Sequence, residues 1–575
     1  MTLLLILLVT STDIFETEET RDYNLIIAET DYLKAHPIDI NSATIDDLMR
    51  IPYLSAGDCM RIIDLRNKTG RINSWEELAS SRQVDRLTIS RIKPYLTFAA
   101  KPYRLEILKS RLRWRQAVSD QHANDYYTRS QALFAGHHNL FLVSEQDAGE
   151  SSFFDYWAGG LLVNDGKRRF AMGAYDLDLG SGVMLSSVGS IFQATDFRVA
   201  SVERGIVPYT SAMENNAFFG AAYGDSLLVP FTLFFSDHKL DGRVDTADIA
   251  WSLDMTGDHS DSAGLARKDR IDEEIMGYDV GYAVSGLVIG HRSYVCTYTP
   301  QFATKDSLFG FYGRQFWMSG FSARYKSNNF ILFSEAARAN QNRLGGLFGL
   351  GSIFPHRTEF SVAGKYFPAG YYSPKGVEAR DDYFGLTADI GQTSFIARLG
   401  ATLNISSPAS AESTSYDLKF NFEKNMTIID SKIQLRWKTL ETDRELSGAK
   451  IFVRFRPTGW LYCDVRLEEK HVYTDDDSLD RGMFISCDLG VDAERFDIKT
   501  RYGVFDTDSY GARIFAYEPD LPGVISNRIL YGQGQYGILY LSVKPVKQMS
   551  VSVKCTALRK VVTNYYIGMQ VDFNL

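Results

Sequence analysis

The side chains that could do chemistry are scattered. Nine histidines are present but none falls in an HExxH arrangement, so helix-borne zinc hydrolysis has no basis. Gly180-Ser181-Gly182 lacks the third glycine and the following helix of a nucleotide site and reads as a strand turn. No G-x-S-x-G nucleophile elbow occurs. Asp475-Asp476-Asp477 with Asp480 offers carboxylates to a divalent cation, but a solvated loop is the plainer reading. Cys59, Cys296, Cys463, Cys487 and Cys555 never form CxxC, which argues against a disulfide framework or a zinc site. Cys463, Cys487 and Cys555 lie in apolar columns of strand-like segments, as small hydrophobes. The expectation is a protein that is not an enzyme and carries no cofactor and no metal.

The densest charge is cationic. Lys109, Arg111, Arg113 and Arg115 share one face of a strand-like segment, opposite Leu108, Leu112 and Trp114. Residues 82–115 hold ten bases against Asp85 and Glu106, a net charge of +8. Such a ladder would attract anions such as DNA phosphate or lipopolysaccharide, or pair with acids on neighbouring strands.

Elements must hold these groups. The 575 residues carry 62 Lys+Arg against 71 Asp+Glu, net −9, which excludes a strongly basic nucleic-acid protein in bulk. With 45% hydrophobic and 23% charged residues the chain is not mainly disordered. No apolar run of 18 residues follows the N-terminus, so helical membrane spans are not expected. Aromatics reach 13%, and Gly (45) far outnumbers Pro (15), which favours an all-β chain with interfacial aromatics.

From Tyr103 onward the pattern has period two. Tyr565, Ile567, Met569, Val571, Phe573 and Leu575 alternate with Tyr566, Gly568, Gln570, Asp572 and Asn574. Met549, Val551, Val553, Cys555 and Ala557 oppose Ser550, Ser552, Lys554 and Thr556. Leu461, Cys463, Val465 and Leu467 oppose Asp464, Arg466 and Glu468, and Phe496, Ile498 and Tyr502 oppose Asp497, Lys499 and Arg501. A soluble sandwich would turn the charged columns outward; a barrel would turn them into its lumen and the apolar columns to lipid. Three features favour a barrel: no domain boundary, a final strand at the chain end, and aromatics at strand ends. At roughly 20–24 residues per strand and loop, residues 100–575 make about 20–24 antiparallel strands, preferably an even number.

The N-terminal part has another period. Leu3–Val9 is a seven-residue apolar run, too short to span a bilayer and suited to a signal h-region in residues 1–12. Residues 13–37 read as an acidic linker, net −5. Residues 38–98 read as four short helices. Asn41 or Ser42 caps the first, Pro52 stops it, a second runs from about Ala56 to Asn67 with Gly70 after it, and Trp75–Leu78 and Thr88–Ile92 follow.

Two helix–turn–helix units some 30 residues apart resemble the tandem helix-hairpin-helix domain of competence-type DNA receptors. The residues are Asp39-Ile40-Asn41-Ser42-Ala43, Leu48, Pro52, Ile63, Arg66, Gly70, Trp75-Glu76-Glu77-Leu78, Ile89, Ile92 and Lys93-Pro94-Tyr95-Leu96. In that family a glycine-bearing hairpin binds a DNA phosphate through backbone N–H groups. Here the hairpins read Tyr53-Leu54-Ser55 and Val84-Asp85-Arg86, without glycine. The resemblance implies DNA contact at Tyr53, Leu54, Ser55, Arg61, Arg82 and Arg86; the competing expectation is a module for protein contact.

Further phrases resemble bacterial proteins that join such a module to a large outer-membrane barrel. They are Ala171-Met172-Gly173-Ala174-Tyr175 through Leu179-Gly180-Ser181-Gly182-Val183, Arg204 to Ser211 with Glu214-Asn215, Gly257-Asp258-His259-Ser260, and Tyr366 to Tyr372. The combined expectation is a mainly β protein: a large antiparallel barrel in the outer membrane, with a small all-α module in the periplasm. The expected partners are outer-membrane lipid, the barrel-assembly machinery, and either DNA or a periplasmic protein.

Overall fold

A computed structural model describes residues 30, 33, 34 and 37–98 except 52, 53, 55, 82, 83 and 85. It also describes 106–574 except 118–123, 135–137, 147–149, 151–154, 187–202, 255–256, 258, 260, 304–310, 328, 355–357, 377–380, 395–396, 410–413, 427, 441–443, 474–477, 525 and 561–562.

The module contains α1 (Ile45–Met49), α2 (Ala56–Thr69), α3 (Trp75–Ser80) and α4 (Arg86–Ile92). The cap of α1 is Thr44, not Asn41 or Ser42. Its hydroxyl accepts from the Asp47 N–H at 3.1 Å, and the Asp47 carboxylate accepts from the Thr44 N–H at 2.9 Å. Asn41 instead fastens the module together: its side chain donates to the carbonyls of Ile72 (2.9 Å) and Phe98 (3.2 Å) and accepts from the Ile72 N–H. Gly70, at φ +76°, follows α2 in the left-handed region that ends helices. Ile51, Ile62, Leu78 and Ile92 fill the core, and Leu33 is buried with them, so the folded unit reaches back into the expected linker.

Beyond the module, 24 antiparallel strands close into a barrel. Its first strand, Glu106–Ala117, pairs with the last, Thr563–Asn574, in the register Arg111↔Asp572. Three short strands, Gly205–Pro208, Gly242–Val244 and Ala250–Leu253, stand outside the ring of 24. At one end of the barrel successive strands are separated by two residues (Val284 to Leu287) to five (Asp225 to Phe231). At the other end the intervals reach 39 residues (Asp178 to Phe218), 30 (Leu240 to Ile271) and 25 (Thr507 to Gln533).

Burial is inverted relative to a soluble protein. Val465 and Leu467 are exposed while Asp464 and Arg466 between and beside them are buried; Tyr502 is exposed and Lys499 and Arg501 are buried. On the last strands Met569 and Phe573 are exposed, whereas Gln570, Ser552 and Thr556 are buried. Exposed apolar columns around a closed ring of satisfied backbone groups are what hydrocarbon requires.

The lumen holds more than polar columns. Along the Leu287–Phe302 strand the inward side chains include Tyr294, Cys296 and Tyr298, all fully buried. They belong to one core with Val183, Met184, Leu185, Phe316, Phe333 and Tyr371. Residues 179–186 enter this core: Leu179 bridges Leu185, and Ser186 bridges Gly376. A second insert, the hairpin of Ile514–Glu518 and Ser526–Leu530, packs Ile514, Ala516 and Leu530 against Phe484, Phe505 and Tyr536 of the wall.

Candidate functional site

The hairpin residues of the module are only partly visible. Tyr53, Ser55 and Arg82 lie outside the described residues, and Arg86 is described as the first residue of α4 without its side chain. The Leu54 side chain is fully buried in the module core. Arg61, on α2, is engaged within the protein: its Nη2 donates to Asp58 at 2.6 Å and to Glu359 of the barrel at 3.0 Å. Burial opposes its charge, but the two carboxylates outweigh that and raise its pKa. Gly57 on the same helix face packs directly on the Glu359 carboxylate. Glu359 is the second residue of the Thr358–Phe367 strand, at the end of the barrel with short connections, so the module sits against that mouth.

The basic ladder is engaged within the barrel. Arg111 bonds Asp572 at 2.6 Å and Arg115 bonds Asp125 at 2.8 Å. Arg113 is buried; it donates to Gln570 (2.8 Å) and to the Gly523 carbonyl of the inner hairpin (3.2 Å), and lies over the Tyr127 ring. Lys109 takes part through its backbone, in register with Asn574 and Gln131. Acids on neighbouring strands and a hairpin carbonyl therefore take up the described part of the ladder.

Gly180-Ser181-Gly182 does bind an anion, but an internal one. The buried Glu335 carboxylate accepts from the backbone N–H groups of Ser181 (2.6 Å) and Val183 (3.2 Å), while Arg292 pairs with the same carboxylate at 3.0 Å and with Asp279 at 2.9 Å. Gly180 and Gly182, at φ +77° and +89°, give the backbone the turn that presents these N–H groups.

The chemistry-bearing set that sequence reasoning missed centres on His259, at the end with long connections. Its Nδ1 faces Asp155 (3.2 Å), Glu150 (3.3 Å) and Glu214 (3.9 Å), and its Nε2 faces Asp241 at 2.9 Å. Lys268 pairs with Asp155. Asn215 holds Asp241 in place by accepting from its backbone N–H at 3.0 Å. The His259, Glu150 and Asp241 side chains are 2–4% exposed. Burial and the neighbouring carboxylates, Asp241 foremost, push the Glu214 carboxyl up to about 9. For His259 burial works the other way, but Asp241 and the Asp155 hydrogen bond prevail and raise its pKa. The available signals were the phrases Glu214-Asn215 and Gly257-Asp258-His259-Ser260. Asp475, Asp476 and Asp477 lie outside the described residues.

Residues 33–97 match the family described as helix-hairpin-helix motif. No curated protein matches the chain in sequence. Among solved structures the chain is similar to the copper transporter OprC, with a TM-score of 0.40 and 10% identity over 83% of this chain and 82% of that one. It is similar to the FrpB iron transporter from Neisseria meningitidis (TM-score 0.38, 9% identity, 81% of each chain). The P pilus usher PapC translocation pore gives a TM-score of 0.34 at 7% identity, over 82% of this chain and 99% of that one. With its exposed apolar columns and buried polar ones, the chain joins a helix-hairpin-helix motif to a closed 24-strand barrel of the outer-membrane type.

Proposed function

We propose that this chain is an outer-membrane barrel whose lumen is kept shut by its own inserts and whose helix-hairpin-helix module closes the short-connection mouth as a protein-contact element. Short connections belong to the periplasmic side of such barrels, which supports a periplasmic module, apolar columns against lipid and a last strand offered to the assembly machinery. One observation carries the reading: Arg61, one of the three module cations expected to contact DNA, is committed to Asp58 and to Glu359 of the barrel rim. A solute would pass when the module withdraws and the inserts rearrange.

The test is conductance in planar bilayers. The intact chain is expected to be nearly silent, and Glu359→Gln or removal of residues 30–98 to raise the frequency of openings. Unchanged silence in both variants would overturn the reading. The family match favours a second reading, in which the module touches DNA. Gel shifts with the intact chain at two salt concentrations distinguish them: micromolar binding with a steep salt slope supports DNA contact, and no shift at low salt rejects it.

A further inference from the structure

We propose that His259 and the carboxylates around it bind one divalent transition-metal ion at the long-connection mouth of the barrel, fastening three loops together. Glu150 and Asp155 come from the chain between Gln146 and Tyr156, Glu214 from that between Pro208 and Phe218, and Asp241 and His259 from that between Leu240 and Ile271. The ligand atoms fall into two groups that share His259, each with its atoms within 4.8 Å of one another. Bonds of about 2.0–2.2 Å to a central ion gather atoms at that spread with small side-chain movements.

Two independent features point to a cation. The first is convergence. Three carboxylates, reaching in from two connections, face the single Nδ1 of His259 at 3.2 to 3.9 Å. Lys268 serves Asp155. The Glu214 side chain, 16% exposed, closes the group from the second of those connections. The second feature is on the far side of the ring. Nε2 lies 2.9 Å from Asp241, whose backbone is fixed by Asn215. A histidine that donates Nε2–H to a carboxylate presents an unprotonated Nδ1, which is how a metal-binding imidazole is oriented. A site of one imidazole and several carboxylates suits Zn²⁺, Mn²⁺ or Fe²⁺ better than Ca²⁺ or Mg²⁺.

The experiment uses the intact chain, purified in detergent and stripped with EDTA, titrated separately with Zn²⁺, Mn²⁺ and Ca²⁺. One Zn²⁺ or Mn²⁺ per chain is expected at micromolar affinity or better, with Ca²⁺ at least tenfold weaker. His259→Gln is expected to weaken Zn²⁺ binding at least tenfold. Glu214→Gln, which is isosteric, is expected to weaken it several-fold, with heat-modifiable gel migration confirming that both variants remain folded barrels. Absence of saturable Zn²⁺ and Mn²⁺ binding, or equal affinity in both variants, overturns the site; Ca²⁺ binding as tight as Zn²⁺ overturns the assignment of ion class.

Discussion

Arg61 and Glu359, 298 positions apart, share a 3.0 Å ion pair that seats a helix of the module on the barrel rim. Their side chains are 10% and 22% exposed, so the pair is shielded from water more than an ordinary surface bridge. Converting the carboxylate to an amide removes a charge-assisted hydrogen bond, a loss of about 1.5–3 kcal/mol. Glu359→Gln is therefore expected to loosen the module while leaving Arg61 paired with Asp58. Limited proteolysis between the module and the barrel should become at least several-fold faster, and an unchanged rate would show that other contacts hold the module.

Arg292 and Glu335 are both fully buried and hold the 179–186 segment through the Ser181 and Val183 N–H groups. Removing one member of such a pair costs about 3–5 kcal/mol, because the other is left charged in a dry site. Glu335→Ala is expected to lower the temperature at which the barrel loses its heat-resistant gel mobility. Hydrogen exchange should rise at residues 179–186 before it rises in the strands.

Arg113 ties the first strand to the inner hairpin through the Gly523 carbonyl and to the last strand through Gln570. Arg113→Ala is expected to free that hairpin, seen as faster amide exchange in residues 514–530. Because the residue is buried in protein contacts, DNA affinity measured by gel shift should stay unchanged.

Leu467 is exposed at mid-strand, beside the buried Arg466. If its side chain meets hydrocarbon, Leu467→Arg costs about 2–4 kcal/mol at the bilayer centre. Refolding into vesicles should drop sharply for this variant, and equal refolding yields would contradict the lipid-facing assignment.

The barrel was legible because its alternation is plain where one column is polar. Val551 and Val553 against Ser552 and Lys554 announce two faces, and the ring of 24 falls at the top of the expected 20–24 strands. The filled half of the lumen was not legible. Around Tyr294, Cys296 and Tyr298 the outward neighbours include Val295, so both faces are apolar and the pattern does not tell wall from core. The His259 cluster was hidden for a different reason: Asp241 and Asp155 lie 18 and 104 positions away, and only the folding of three long connections brings them together. The capping of α1 escaped because Asn41, Ser42 and Thr44 are all good cap residues; the capping box with Asp47 selects Thr44.

Pairing of Glu106–Ala117 with Thr563–Asn574 joins the first ring strand in chain order to the last. The seam is thus the most sequence-distant contact in the wall, and the loop it closes is nearly the whole barrel. Until the final strand arrives, the opening strand keeps a row of unsatisfied amides and carbonyls, a template for pairing with the wrong chain. A version cut short before residue 563 would leave that edge open, and it is expected to aggregate on refolding where the full chain closes.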